Sequence, residues 1–371
     1  MKFYIIISLC IISLFASCTQ KYKNNNPYVN DNNHPNYHLV YSGDIHFSLD
    51  STTSYFFRAS EYNEKDTTYS FLYNKDLLVY SYNNQKLLKK IQLKTPMPTS
   101  YSIINSDSII VFDYLENSVG FYDDSGMGYS KKIINHTIPY FPFPSCKISP
   151  ICYEEGEIIY WGNFAGEYLN ENSENRRLMG IFNMDNSDIK YYVPYIDFYY
   201  NTNWGGGLFR WVYADYNPDQ RIFIVSLPAA HELLIVSKEG ELLKRVYSGS
   251  KYIDTIESFS LLKLDMADSD ERTKHFVENH SYSNVLYDPY NRVYYRIAEI
   301  KSEYVGAMGW KKNISVVILN EQFQRIGETF IGNCNSNYRY AIFVNETGLH
   351  IPQESSEDFL SFKIYKYEIN E

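Results

Sequence analysis

The sequence predicts an all-β protein, a β-propeller of six four-stranded blades, with seven blades also compatible. Three observations carry that expectation. The chain of 371 residues holds 38 Tyr and 22 Phe, a composition that favours strands and turns over helices. One hairpin motif recurs: Tyr216-Asn217-Pro218-Asp219-Gln220-Arg221-Ile222-Phe223 is matched by Tyr287-Asp288-Pro289-Tyr290-Asn291-Arg292-Val293-Tyr294. Each copy reads as strand, Pro turn, strand. Weaker hairpins of the same kind are each followed by a second hairpin, and two consecutive hairpins make one blade. Two stacked sandwiches are the competing all-β arrangement, since periodic turns alone do not separate the two.

In chain order, Lys2 gives a short positive start, Phe3 to Phe15 form an apolar run, and Ala16-Ser17 precede Cys18. This reads as a signal peptide over residues 1–17, too short for the roughly 20 residues of a spanning helix. The cysteine directly after the small residues resembles a lipoprotein signal, which makes Cys18 the expected lipidation site and a membrane the expected anchor. Residues 18–36 are rich in Asn, hold Pro27 and Pro35 and show no apolar period, so they read as a disordered tether. The expected propeller domain occupies residues 37–371.

The first blade reads from strands near residues 54–58, 68–73, 77–82 and 86–93. Later units are marked by turns at Ser106-Asp107, Glu155-Gly156, Pro218-Asp219, Pro289-Tyr290 and Thr347-Gly348. The last unit stops one strand short, and residues 37–49 are expected to fill the gap, which closes the ring and removes exposed edges. Two insertions interrupt the pattern, residues 163–177 and 251–281. The second contains a helix-forming stretch starting at Asp268, with Phe276 and Val277 as its inward face.

A net charge of −10 and the absence of a basic stripe argue against nucleic acid as a partner. Beyond Cys10 and Cys18, the chain has Cys146, Cys152 and Cys334, an odd number that precludes a full disulfide framework. Cys146 with Cys152 across a turn and three small unpaired thiols stay open as alternatives. Their spacing matches no zinc pattern, and no metal or cofactor is expected.

The lipidation signal, the all-β body and the run from Tyr287 to Arg296 resemble a family of Bacteroidetes lipoproteins catalogued as a domain of unknown function. The resemblance implies a six-bladed propeller of the TolB-like type, in the cell envelope and at the outer membrane. It implies no catalytic residues. Lys21 and Lys23 stand where surface-exported members carry acids, which leaves the periplasmic and surface sides equally open.

Local catalytic signatures are absent: the chain has no Gly-x-Ser-x-Gly, no His-Glu-x-x-His and no phosphate loop. His231 and the pair His275 and His280 read as satisfied turn or surface residues. The most distinctive stretch runs from Trp204 to Trp211, where three glycines lie between Trp204 and the pair Arg210-Trp211. It is either a ligand loop or a Gly-rich strand entry with a core Trp211. In Tyr294-Tyr295-Arg296, alternation turns Tyr294 and Arg296 to one face and Tyr295 to the other, and a buried Arg296 is expected to need a carboxylate. Trp204, Arg210, Trp211, Tyr294 and Arg296 are therefore the candidate ligand-binding residues. The leading functional expectation is a module that binds an envelope protein, a peptide or a glycan. The alternative is a hydrolase or lyase acting on sugar-derived substrates through acids gathered in the central channel.

Overall fold

The computed structural model describes residues 21–27, 37–54, 57, 59–105, 107–132, 143–144, 149, 151–163, 176–200, 202–260, 268–306, 310–354 and 356–369. Asn and Asp side chains set many of its turns. Asn217 Oδ1 accepts from the backbone N–H of Asp219 (2.9 Å) and Gln220 (3.1 Å), and Asp288 Oδ1 accepts from Tyr290 and Asn291 (both 2.9 Å). Both hairpins then reverse through an Arg in the left-handed region, Arg221 and Arg292 (φ 54° each). The shared motif is thus one turn built twice: a side-chain cap, a proline that presets φ, and a positive-φ residue. Asn63, Asn183, Asn320 and Asn345 cap further turns in the same manner.

Between turns the strands pair in antiparallel meanders. The first blade joins Ala59–Asn63, Thr68–Tyr73, Asp76–Ser81 and Leu87–Gln92. The second joins Pro98–Asn105, Ser108–Asp113, Ser118–Tyr122 and Gly128–Lys132. Cys152–Glu154, Glu157–Asn163, Arg177–Asn183 and Ile189–Pro194 form the third, with Phe143–Pro144 added as a fifth strand. The fourth holds Tyr213–Asn217, Ile222–Ser226, Glu232–Ser237 and Leu242–Tyr247.

The rest departs from the expected six blades: four blades are joined by one eight-stranded sheet. Its first half is Ser281–Asp288, Val293–Ile300, Lys311–Asn320 and Arg325–Asn335. Its second is Tyr37–Ser48, Phe359–Ile369, Gly348–Pro352 and Phe343–Asn345. The halves meet at a parallel contact between Tyr37 and Gly327. A side chain at Gly327 would lie 2.0 Å from the Tyr37 carbonyl oxygen, so a glycine is what lets the two outer strands touch. Thr329 Oγ1 adds a bond to the Leu39 N–H at 2.8 Å. The N-terminal strand pairs with Phe359–Ile369 along its whole length, as the missing strand required.

The inner faces of neighbouring sheets pack into apolar clusters. The largest lies between the third blade, the fourth blade and the first half of the eight-stranded sheet. An aromatic cluster closes the ring, with Phe47 against Tyr69 (5.1 Å between centroids), Tyr69 against Phe343 (5.0 Å) and Phe343 against Phe362 (5.4 Å).

The insertion after the fourth blade holds the helix Ser269–Val277. Asp268 caps it by accepting from the Glu271 N–H (2.8 Å), and Phe276 and Val277 are buried. Insertion residues 164–175, including most of the first expected insertion, lie outside the described residues, as do Cys18 and Cys146. No helix among the described residues is long and apolar enough to cross a membrane.

One expectation is overturned near the N-terminus. Within the stretch read as a disordered tether, Lys23–Asn25 is a strand paired with Thr255–Glu257. Asn26 Nδ2 donates to the carbonyls of Ser250 (2.9 Å) and Ile253 (2.8 Å), and its Oδ1 accepts from Tyr247. Asn24 Nδ2 reaches the Ala229 carbonyl at 2.7 Å. The Asn content that reads as disorder supplies the donors and acceptors of a docked strap.

Candidate functional site

The structure does not bring the five sequence candidates together. Trp204 is fully buried among Tyr199, Phe198 and Phe209. Arg210 is buried beside the rings of Tyr195 and Tyr199 (5.6 and 5.7 Å) and donates to the Thr202 carbonyl at 3.4 Å. Tyr294 lies in the core, its hydroxyl accepting from Asn217 Nδ2 (2.6 Å) and its ring stacked on Phe323. Tyr294 and Tyr295 do face opposite clusters, as alternation required.

Arg296 corrects the expectation of a carboxylate partner. Its guanidinium donates to the carbonyls of Ala230 (2.7 Å) and His231 (3.0 Å) and to the hydroxyls of Ser226 (3.1 Å) and Ser248 (2.6 Å). It also sits 3.8 Å from the Tyr282 ring centroid. Backbone dipoles and an aromatic face replace the counter-charge, and burial lowers the group to about 10. Arg296 therefore ties Val293–Ile300 to the loops of the fourth blade.

Trp211 does not line the central channel either, but it lies 6.2 Å from the Tyr340 ring and 5.8 Å from Arg339 Cζ, two residues that do. Residues of the innermost strands surround this channel of about 230 Å³, including Glu61, Tyr62, Asp215, Asn284, Arg339 and Tyr340. Polar side chains stitch the strands together around it. Glu61 accepts from the Ile103 N–H (2.9 Å) and Ser102 Oγ (3.2 Å), joining the first blade to the second. Asp215 accepts from the Tyr287 N–H (2.7 Å), joining the fourth blade to the eight-stranded sheet. Ser60 Oγ donates to the Tyr340 carbonyl (2.7 Å), and Asn284 Nδ2 to the Arg339 carbonyl (3.1 Å).

Burial pushes Glu61 up to about 7 and Asp215 up to about 6, because the N–H donors only partly offset lost hydration. Beneath the channel, Arg339 pairs with Glu299, which also accepts from Ser281 Oγ (2.5 Å) and Tyr338 and lies 3.8 Å from Lys312 Nζ. Burial alone would raise Glu299, but Arg339 and Lys312 hold it below the usual carboxylate range. Burial lowers Lys312 to about 7 against the pull of that same carboxylate.

Two polar atoms of channel-lining residues, Arg339 Nε and Asn284 Oδ1, are themselves buried and have no hydrogen-bond partner among the described residues. One is a donor and the other an acceptor, and their residues are neighbours through the Asn284–Arg339 bond. Among the described residues no three His, Cys, Asp or Glu side chains gather as a metal site. Cys152 and Cys334 are free thiols, both pushed up to about 12 by burial. His231 is satisfied, its ring contacting Tyr282 Oη (2.9 Å) and the Asn24 carbonyl (3.0 Å), whereas His275 Nε2, expected to be satisfied as well, is buried without a hydrogen-bond partner among the described residues.

Sequence reading missed Glu61, Asp215, Asn284 and Arg339. A signal existed for the two acids, since each lies in the first strand of a hairpin pair, the strand that lines the channel in a propeller. Nothing local marked Arg339.

Comparison with known proteins agrees with the architecture. A family model described as a domain of unknown function (DUF4221) matches residues 36–330. The crystal structure of a DUF4221 member from Bacteroides vulgatus is 18% identical. It covers 91% of this chain and all of its own, with a TM-score of 0.72. A putative exported protein from Bacteroides fragilis is 12% identical over 90% of this chain and 96% of its own, with a TM-score of 0.52. No curated protein matches the chain.

Proposed function

The chain belongs to the DUF4221 family, and from that premise we propose that it is an envelope binding module, anchored to a membrane through an acylated Cys18, which takes a small hydroxyl-bearing ligand in its central channel. The observation that carries the ligand class is the unpartnered pair Arg339 Nε and Asn284 Oδ1. A hydroxyl admitted between them by a shift of the lining side chains would accept from one and donate to the other, relieving two buried polar atoms at once.

The channel's size narrows the choice. At about 230 Å³ it holds the volume of roughly seven waters, the scale of one sugar ring. Tyr62, stacked on Phe343 (5.3 Å between centroids), and Tyr340 are among its lining residues, and aromatic rings suit the apolar side of such a ring. Glu61 and Asp215 have the raised pKa values that acid–base catalysis uses, yet each is committed to a strand-to-strand bond. No observation favours the hydrolase or lyase reading.

Titration of the purified body with a panel of monosaccharides, followed by calorimetry, tests the proposal. Saturable binding that weakens about tenfold in Asn284→Ala, equivalent to about 1.4 kcal/mol, supports it. Binding that ignores Asn284→Ala, or no binding by any member of the panel, overturns the ligand class. Capture of a stoichiometric envelope protein on the exposed loops instead would make the module a docking protein. Palmitate labelling that disappears in Cys18→Ala checks the anchor separately.

A further inference from the structure

The strap changes what an anchor at Cys18 would do. A free segment of nineteen residues would let the body wander on the order of 25 Å from the bilayer. Instead Tyr22 is held by two bonds to Ser258 (2.7 and 2.8 Å) and packs against Phe198 and Trp204. Asn24 and Asn26 are pinned as described above. Lys21 is three residues from Cys18, a reach of about 10 Å at most.

The point where the chain reaches the body lies on one rim. Lys21 and Lys23 line an open polar depression with Glu257, His275, His280 and Lys301. Residues 301–306 pack beside it: the Ser302 N–H donates to the Val277 carbonyl (3.0 Å), Tyr304 bonds Asp270, and Val305 is 81% exposed. Lys21, Lys23 and Lys301 meet Asp254, Glu257 and Glu278 there, with Lys21 and Lys23 both paired to Glu257 (3.8 and 3.0 Å), so the rim offers a bilayer surface mixed charge beside the exposed Val305.

Resting on the reading of Cys18 as the anchor, we infer that the strap seats the propeller on the lipid surface in one orientation. The rim of residues 21–26, the helix Ser269–Val277 and residues 301–306 faces the bilayer. The channel has a matching polarity. Its Arg339 end is covered by Trp310 (4.6 Å) and by Phe276 of that helix (5.3 Å). A ligand therefore enters from the other end, beside Tyr62 and Val344 and away from the membrane.

The test bypasses biological acylation. A chain beginning at Cys18 and carrying Cys146→Ser is coupled at neutral pH to maleimide lipid in phosphatidylcholine–phosphatidylglycerol vesicles. The raised, half-buried thiols of Cys152 and Cys334 do not compete. Amide hydrogen exchange is compared between coupled and free chains. Expected on coupling is exchange about threefold slower at residues 269–277 and 301–306, with none at the turns of residues 218–221 and 289–292. Asn24→Ala with Asn26→Ala abolishes the difference while the chain stays coupled. Should that variant fold poorly, about twelve Gly/Ser residues inserted between Gln20 and Lys21 give the same release with the strap intact. Equal exchange at both ends of the coupled parent, or slowing that survives the inserted linker, overturns the seating. Loss of palmitate labelling in the native chain would overturn only the anchor.

Discussion

Two segments near the N-terminus, residues 21–26 and Tyr37–Ser48, hold to the same body by different physics. The later one adds a strand to Phe359–Ile369 and buries Ile45 and Phe47 in an aromatic cluster. The earlier one buries little apolar surface and is held by amide side chains and a three-residue strand pairing. The first mechanism draws on area removed from water, the second on completing hydrogen bonds that the loops of the fourth blade and its insertion would otherwise leave open. Docking strength should differ accordingly, with the closing strand bound into global stability and the strap opening locally.

The largest separation between them is expected from truncating each at its centre. Phe47→Ala removes a fully buried ring and should cost about 3–5 kcal/mol of global stability in chemical denaturation. Asn26→Ala should cost about 1–3 kcal/mol, and should speed hydrogen exchange at residues 254–258 more than elsewhere. Equal global losses from both would erase the distinction.

A smaller effect comes from acid. His231 beside the strap and His350 in the closing cluster are both lowered to about 4 by burial. The unfolded chain therefore binds their protons first, and stability is lost as pH falls from about 6.5 towards 4. Neutral His231 donates through Nε2 to the Asn24 carbonyl and accepts at Nδ1 from Tyr282, so its protonation also disturbs the strap. Denaturation midpoints across that window should fall, and exchange of residues 22–26 should accelerate before that of Tyr37–Ser48.

The smallest effect has the opposite slope. Glu61, raised by burial to about 7 from 4.5, favours the folded state while protonated, so its contribution is lost as pH rises through 4.5 to 7. Because this slope opposes that of the histidines over nearly the same interval, Glu61→Gln should steepen the net loss of stability as pH falls from 7 towards 4.5. A parallel shift at all pH values would contradict the raised carboxyl.

Much of the architecture was legible because turns carry their own chemistry. The Pro-bearing hairpins at Asn217 and Asp288, the helix capped by Asp268 and the closing strand all follow from local rules. The number of separate sheets was not legible. It turns on whether two outer strands touch, and that depends on Gly327 meeting the Tyr37 carbonyl across a long separation in the chain. The strap was hidden for a related reason: composition scores the burial a segment offers, whereas this one is retained by bonds to partners more than 200 positions away. Of the candidate binding residues none lines the channel: Trp204, Arg210, Tyr294 and Arg296 are buried in the core, and Trp211 only touches two residues that line it.

The sequence by itself determined the class of fold, the turn chemistry, the acidic balance and the helix start, since each depends on neighbours within a few positions. Only the tertiary structure decided the joined eight-stranded sheet, the docked strap and the channel lined by Arg339 and Asn284, whose Nε and Oδ1 atoms lack partners among the described residues. Those features arise where distant strands are brought side by side, and the energy of a polar group there depends on which partner the fold supplies.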